Sequence, residues 1–126
     1  MLKAKDIMNR DFDAVSGDTD ILKICRILIK NKISGLPVVK DGKKLAGFVS
    51  ERDIIASAGI RGFSKRKAGD IMTKKVASVD ENAPVERVSK IFTERPYRYI
   101  PVTRKNIVVG VISRKKVISR LLGQYY

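Results

Sequence analysis

The chain has 126 residues, 44% of them hydrophobic and 32% charged, with 27 Lys and Arg against 13 Asp and Glu for a formal net charge of +14. This length holds one domain's worth of core and excludes two independent ones, while the absence of histidine removes the commonest acid/base and metal chemistries. The excess of cations attracts polyanions, whether nucleic acid, nucleotide phosphates or an acidic partner, and does not choose among them.

The basic residues are spread along the chain, with local clusters only at Arg61 to Lys67 and Arg114 to Lys116; a solubilising surface explains them equally well. No stretch approaches the roughly 20 apolar residues of a membrane span, and Met1-Leu2-Lys3-Ala4-Lys5 has no apolar signal-peptide core. A cytoplasmic location is therefore the expectation, with no membrane partner. Cys25, the single cysteine, lies in an apolar helical pattern and reads as a small core residue.

In chain order, Asp13 to Val15 reads as a short strand, and Ser16-Gly17-Asp18-Thr19 as a turn whose Asp18 or Thr19 caps a helix. Ile21, Ile24, Cys25 and Leu28 fall at helical spacing, and that helix ends between Asn31 and Gly35. Leu36 to Val39 and Leu45 to Val49 are strands joined by a tight turn at Asp41-Gly42. Glu51 to Ala58 is a second helix with Ile54, Ile55 and Ala58 facing inward and Gly59 closing it. Gly59 to Lys67, with four basic residues, is the natural linker. Val76 to Val79 is again a short strand, Asn82 a cap, and Val85, Val88, Ile91 and Phe92 a buried helical stripe that Pro96 ends. Tyr99 to Val102 and Ile107 to Ile112 form a hairpin around Lys105-Asn106, and a last helix turns Val117, Ile118, Leu121 and Leu122 inward until Gly123. The final Tyr125-Tyr126 pair has no assigned role.

The second part of this series repeats the first. Asp6-Ile7-Met8 recurs as Asp70-Ile71-Met72, and Leu36-Pro37-Val38 as Ile100-Pro101-Val102; after a turn one residue shorter, Gly47, Ser50 and Ile55 recur as Gly110, Ser113 and Ile118. The chain is thus a tandem duplication: repeat 1 over 1–60, a basic linker over 61–67 and repeat 2 over 68–126. The fold class is α/β of the α+β type, each repeat running β-α-β-β-α. Neither half alone buries enough surface for comfortable stability, so the halves should pack sheet to sheet about a pseudo-twofold axis, leaving two related clefts.

The repeats differ most at one junction. Gly47-Phe48-Val49-Ser50-Glu51-Arg52-Asp53 runs from strand into helix with a hydroxyl three residues before a carboxylate, where helix amides are unpaired and anions are favoured. Its copy is Gly110-Val111-Ile112-Ser113-Arg114-Lys115-Lys116. Ser50 with Asp53 is also a plain capping box. Ser113 keeps the cap while Lys116 replaces the acid, so capping did not require it, and Asp53 is left as a residue suited to a sugar diol.

The Asp-Ile-Met lead-in, the apolar-Pro-Val strand and the Gly-x-x-Ser-x-x-Asp junction, twice in order over nearly the whole chain, resemble a pair of CBS domains, the Bateman module. The resemblance implies a stand-alone regulatory module that binds AMP, ADP or ATP, needs no cofactor and is not an enzyme; S-adenosylmethionine, itself cationic, is disfavoured by the +14 charge. It further implies a ligand cleft headed by Phe48, Ser50 and Asp53, with Asp53 accepting from both ribose hydroxyls and Ser50 beside the α-phosphate or ribose. Lys75 and Val76 would meet the base, Arg98, Tyr99 and Pro101 would stand at the hairpin entry, and Lys115 would meet phosphate. The second cleft would use Phe12, Ser34, Pro37, Arg52, Val111, Ser113 and Lys116, and departs from the family pattern at Lys116, so that an empty site or an inorganic anion is expected there.

On their own, Pro37 and Pro101 read as strand-edge prolines, Tyr97 and Tyr99 as one core and one stacking ring, and Arg98 and Lys115 equally as solvated surface. With no effector domain in the chain, regulation would act on a separate effector protein, and the resemblance implies a homodimer for which Ile54, Val117 and Leu121 are interface candidates. The competing reading is a nucleic-acid-binding protein that uses its charge. Catalysis is disfavoured, because the sequence has no Walker-type phosphate loop, no metal cluster and no nucleophile beside a base.

Overall fold

The duplicated pattern folds as two copies of one arrangement. The structure is a computed structural model that describes residues 1–124, with side chains to Gly123; the Tyr125-Tyr126 pair lies outside the described residues. Helix α1 (Ala4–Ile7), strand β1 (Val15–Ser16), helix α2 (Ile21–Asn31), strands β2 (Gly35–Lys40) and β3 (Lys44–Ser50) and helix α3 (Glu51–Ala58) come first. A 3-10 turn (Phe63–Lys65) leads to α4 (Ala68–Ile71), β4 (Val79–Asp80), α5 (Val85–Glu94), β5 (Tyr99–Arg104), β6 (Ile107–Ser113) and α6 (Arg114–Gln124).

In both copies a two-residue strand pairs in parallel with the first arm of an antiparallel hairpin: β1 with β2, β2 with β3, β4 with β5, β5 with β6. Each hairpin carries one register shift, between Val38 and Val39 and between Val102 and Thr103. The tight turns take the positive φ angles that the right-handed twist of a hairpin demands: 35°, 77° and 73° at Asp41, Gly42 and Lys43, and 50° and 69° at Lys105 and Asn106.

The compact units cut across the sequence repeats. Asp13–Val76 forms one contiguous unit, and Met1–Phe12 joins the chain from Ala77 onward in a split unit. In the split unit Ala4, Ile7 and Met8 are buried with Val79, Val88, Phe92, Ile100, Val102 and Ile112. Ala4 N donates to Ala83 O at 2.8 Å and Lys5 N to Glu81 O at 2.9 Å. The contiguous unit is built the same way from the second lead-in: Ala68 is buried with Val15, Ile24, Leu28, Leu36, Val38 and Val49, and its N–H reaches Thr19 O at 2.9 Å.

This exchange of lead-ins explains why the expected helix caps fail. Helix α2 is preceded by Asp20, whose side chain makes no capping bond. Thr19 Oγ1 instead accepts from Ser16 N at 3.2 Å, and the first helical amide, Ile21 N, donates to Arg66 O in the linker at 3.0 Å. Asn82 likewise is not a cap; its own N–H donates to Asp80 Oδ2 at 2.9 Å, Pro84 holds the N-cap position of α5, and Val85 N donates to Leu2 O at 3.0 Å. Main chain from the lead-in or linker satisfies the amides that a side-chain cap would otherwise take.

Other expectations shift as well. The two short strands lie one or more residues later than Asp13 to Val15 and Val76 to Val79 suggest. Pro37 and Pro101 are fully buried in the middle strand of each three-stranded set, not at an edge. Pro37 is tolerated because it faces Phe48, whose own N–H and C=O turn away to Thr73, and because β1 starts pairing only at Val38.

The last helix of each repeat is less buried than its periodicity suggests. Ile54 is half-buried against the core, but Ile55 is 72% exposed and Ala58 is exposed. Val117 is half-buried, and Ile118, Leu121 and Leu122 are exposed. These helices are short of neighbours within their units, so an apolar period survives on a solvent-facing side.

Candidate functional site

Strand β3 ends at Ser50, whose φ of −108° and ψ of 167° make it the N-cap of α3. The capping box is present and tight: Asp53 N donates to Ser50 Oγ at 3.2 Å, and Ser50 N and Ser50 Oγ donate to Asp53 Oδ2 at 2.9 and 3.0 Å. Glu51 N is taken by Ser34 O at 2.8 Å. The half-buried Asp53 carboxylate therefore sits against the positive end of α3, where an anion is favoured.

A third group completes this arrangement, and it did not stand out in the sequence. Thr73 Oγ1 donates to Asp53 Oδ1 at 3.1 Å and lies 3.4 Å from Oδ2. Thr73 is held there by its main chain, because Phe48 N donates to Thr73 O and Thr73 N to Phe48 O, each at 2.9 Å. That close approach needs glycine at the preceding strand position: a Cβ on Gly47 would lie 2.6 Å from Met72 Sδ and 2.9 Å from Thr73 O. Repeat comparison could not find Thr73, because its counterpart is Asn9. The available signal was a hydroxyl immediately after the Asp-Ile-Met lead-in.

Of the residues expected to bind ligand, the contiguous unit holds Phe48, Ser50, Asp53, Lys75 and Val76. The Phe48 ring lies over Gly35, where an added Cβ would fall 2.5 Å from its edge. Lys75 is exposed and Val76 half-buried on the stretch that follows the Thr73 bridge. Ser34 immediately precedes β2 and Pro37 lies within it, and Arg52 is exposed on the first turn of α3.

Arg98, Tyr99, Pro101 and Lys115 belong to the split unit, with Phe12, Val111, Ser113 and Lys116. Tyr97 and Tyr99 are both half-buried, so neither is the full core residue that strand alternation suggested. The second junction has only half of the first one's network: Lys116 N donates to Ser113 Oγ at 3.1 Å, and Arg114 N donates to Arg98 O at 3.2 Å. Asn9 exchanges main-chain bonds with Val111 at 2.8 and 3.0 Å, but its Oδ1 accepts from Asp11 N at 3.0 Å. Among the described residues no group of three His, Cys, Asp or Glu side chains is placed to hold a metal, and no helix is long and apolar enough to cross a membrane.

A β-α-β-β-α unit is thus built twice, with a serine at each strand-to-helix junction and an acid at the first of them alone. The CBS domain family model matches residues 4–59 and 68–123, and the chain belongs to the CBS domain family. It is 30% identical over 115 residues to the uncharacterised protein YlbB of Bacillus subtilis, covering 90% of this chain and 78% of that one. The structure of CBSX2 in complex with AMP superposes with a TM-score of 0.91 at 25% identity over the full length of both chains. The CBS domain pair of protein MJ0100, in complex with 5′-methylthioadenosine and S-adenosyl-L-methionine, gives 0.84 at 28% identity, covering 100% of this chain and 99% of that one. This chain thus resembles CBS pairs that bind adenosine-containing ligands.

Proposed function

We propose that the chain is a regulatory, non-catalytic CBS pair that binds an adenine nucleotide of the AMP, ADP or ATP type and acts in trans on a separate effector protein. The observation that carries this reading is the Asp53 carboxylate. It is half-buried at the start of α3 with donors on both oxygens, while the equivalent helix α6 starts on Ser113 without an acid. A carboxylate offers about four acceptor sites, and with Ser50 N, Ser50 Oγ and Thr73 Oγ1 on three of them one is left for a ribose hydroxyl. The AMP complex of CBSX2 and the nucleoside complex of MJ0100 support the ligand class. The +14 charge favours phosphorylated ligands over cationic S-adenosylmethionine.

Of the interface candidates Ile54, Val117 and Leu121, the first two pack against the cores and Leu121 is exposed; with the exposed Ile55 on α3 and Ile118 and Leu122 on α6 it supports self-association as a homodimer. Light scattering at working concentration checks this, and a monomer would count against it.

The test of the ligand reading is titration calorimetry of AMP and ATP at moderate salt against the wild type and Asp53→Ala. The expected result is binding near one ligand per chain that Asp53→Ala abolishes while thermal unfolding stays cooperative. One observation favours a second reading, nucleic-acid binding: the described residues of a chain with 27 cations hold one ion pair, Arg104 Nε to Glu81 Oε2 at 3.5 Å. On that reading affinity is for DNA or RNA, falls steeply with salt and is indifferent to Asp53.

A further inference from the structure

We propose that Thr73 is a specificity-determining partner of Asp53, and that the two side chains together read the cis-diol of a ribonucleotide. This rests on the nucleotide reading above and deepens it.

Helix capping accounts for Ser50 and Asp53 alone, since the two satisfy each other within one helical turn. It does not account for Thr73. Thr73 comes from 20 residues away in sequence, donates to the same carboxylate, and adds nothing to the start of α3. Its main chain is already fixed on both sides by the Phe48 pair, so the hydroxyl is not needed to hold the segment in place either.

The hydroxyl acts on how Asp53 presents its acceptors. Oδ2 receives both Ser50 donors and is filled from inside. Oδ1 receives Thr73 alone and keeps a free acceptor direction. Thr73 Oγ1 has spent its single proton on Asp53, so it too faces outward as an acceptor only. Two acceptors 3.1 Å apart, one charged and one neutral, match two adjacent hydroxyl donors and give no partner to a ligand that lacks them. The other repeat has neither half of this pair, with Lys116 for the acid and Asn9, already engaged with Asp11 N, for the hydroxyl.

The experiment is calorimetry of wild type, Thr73→Val and Thr73→Ser with AMP and with 2′,3′-dideoxy-AMP, melting each variant beforehand. Valine keeps the shape and removes the hydroxyl, and serine keeps the hydroxyl. Thr73→Val is expected to weaken AMP about tenfold, the upper end for one hydrogen bond between neutral groups. It should change 2′,3′-dideoxy-AMP by about twofold or less, and Thr73→Ser should restore AMP binding to within about threefold of wild type. An unchanged AMP affinity in Thr73→Val overturns the role of Thr73. So does an equal loss for both ligands, which would mark Thr73 as structural. If Asp53→Ala abolishes AMP binding while Thr73→Val leaves the AMP affinity unchanged, only the Thr73 inference fails; if wild type does not bind AMP, both fail.

Discussion

Helices α3 and α6 begin at equivalent points of the two repeats, and they are secured by different means. The first residue of α3 is the exposed Glu51, and the helix is fastened by the Ser50–Asp53 box with Thr73 behind it. The first residue of α6 is Arg114, which reaches back across the split unit. Its Nε donates to Tyr97 O at 2.5 Å, its Nη2 to Phe92 O at 2.8 Å and Arg95 O at 3.0 Å, and its guanidinium lies 5.5 Å from the centroid of the Phe92 ring.

The reason lies at the other end of the preceding helix. Helix α2 closes on Lys32 in the left-handed conformation, with Lys32 N and Ile33 N satisfying carbonyls of the last turn. Helix α5 ends at Arg95 in an extended conformation before Pro96, which has no N–H to give. Arg114 supplies the missing donors at a helix C-terminus, where a cation is favoured. One junction therefore spends its charge on structure, and the other keeps an acid facing a hydroxyl.

This contrast is broken most strongly at the glycines. Gly47→Ala is expected to cost about 3 kcal/mol, because its Cβ meets main-chain Thr73 O as well as Met72, and to weaken AMP binding by displacing Thr73. At Gly110 the added Cβ meets the Met8 side chain first, at Sδ, Cγ and Cβ, so Gly110→Ala should cost less, about 1 to 2 kcal/mol, with AMP binding kept. Urea unfolding with calorimetry checks both, and equal effects would mean that the two junctions are interchangeable.

Next in size, Arg114→Ala should destabilise by about 2 kcal/mol through three lost carbonyl partners and the Phe92 contact. Glu51→Ala at the matching exposed position should stay within about 0.5 kcal/mol. The smallest effect sharpens the contrast: Lys116→Asp restores a capping box on Ser113 and should raise stability by about 0.5 to 1 kcal/mol. A second AMP site should not appear with it, because Asn9 is no substitute for Thr73; a second binding event in Lys116→Asp would show that the acid alone suffices.

Much of this was legible in the sequence because it is local. The hairpin turns follow from Asp41-Gly42 and Lys105-Asn106, the extent of α3 from the Ser50–Asp53 box and Gly59, and the buried faces of α2 and α5 from a 3.6-residue period. Helix ends fixed from a distance were not legible. Asp18, Thr19 and Asn82 have the right chemistry for caps, but carbonyls of Arg66 and Leu2 arrive first. Ile55, Ala58, Ile118, Leu121 and Leu122 keep an apolar period that no neighbour within their units covers.

The sequence by itself determined the duplication, the order of elements and the single acidic junction, since each is written in residues within a few positions of one another. The tertiary structure decided which lead-in serves which repeat, and with it the place of Thr73. Those outcomes depend on which main-chain donors and acceptors meet after the cores of Val79 to Ile112 and Val15 to Val49 have closed around Ala4, Ile7, Met8 and Ala68. No run of neighbouring residues encodes that meeting.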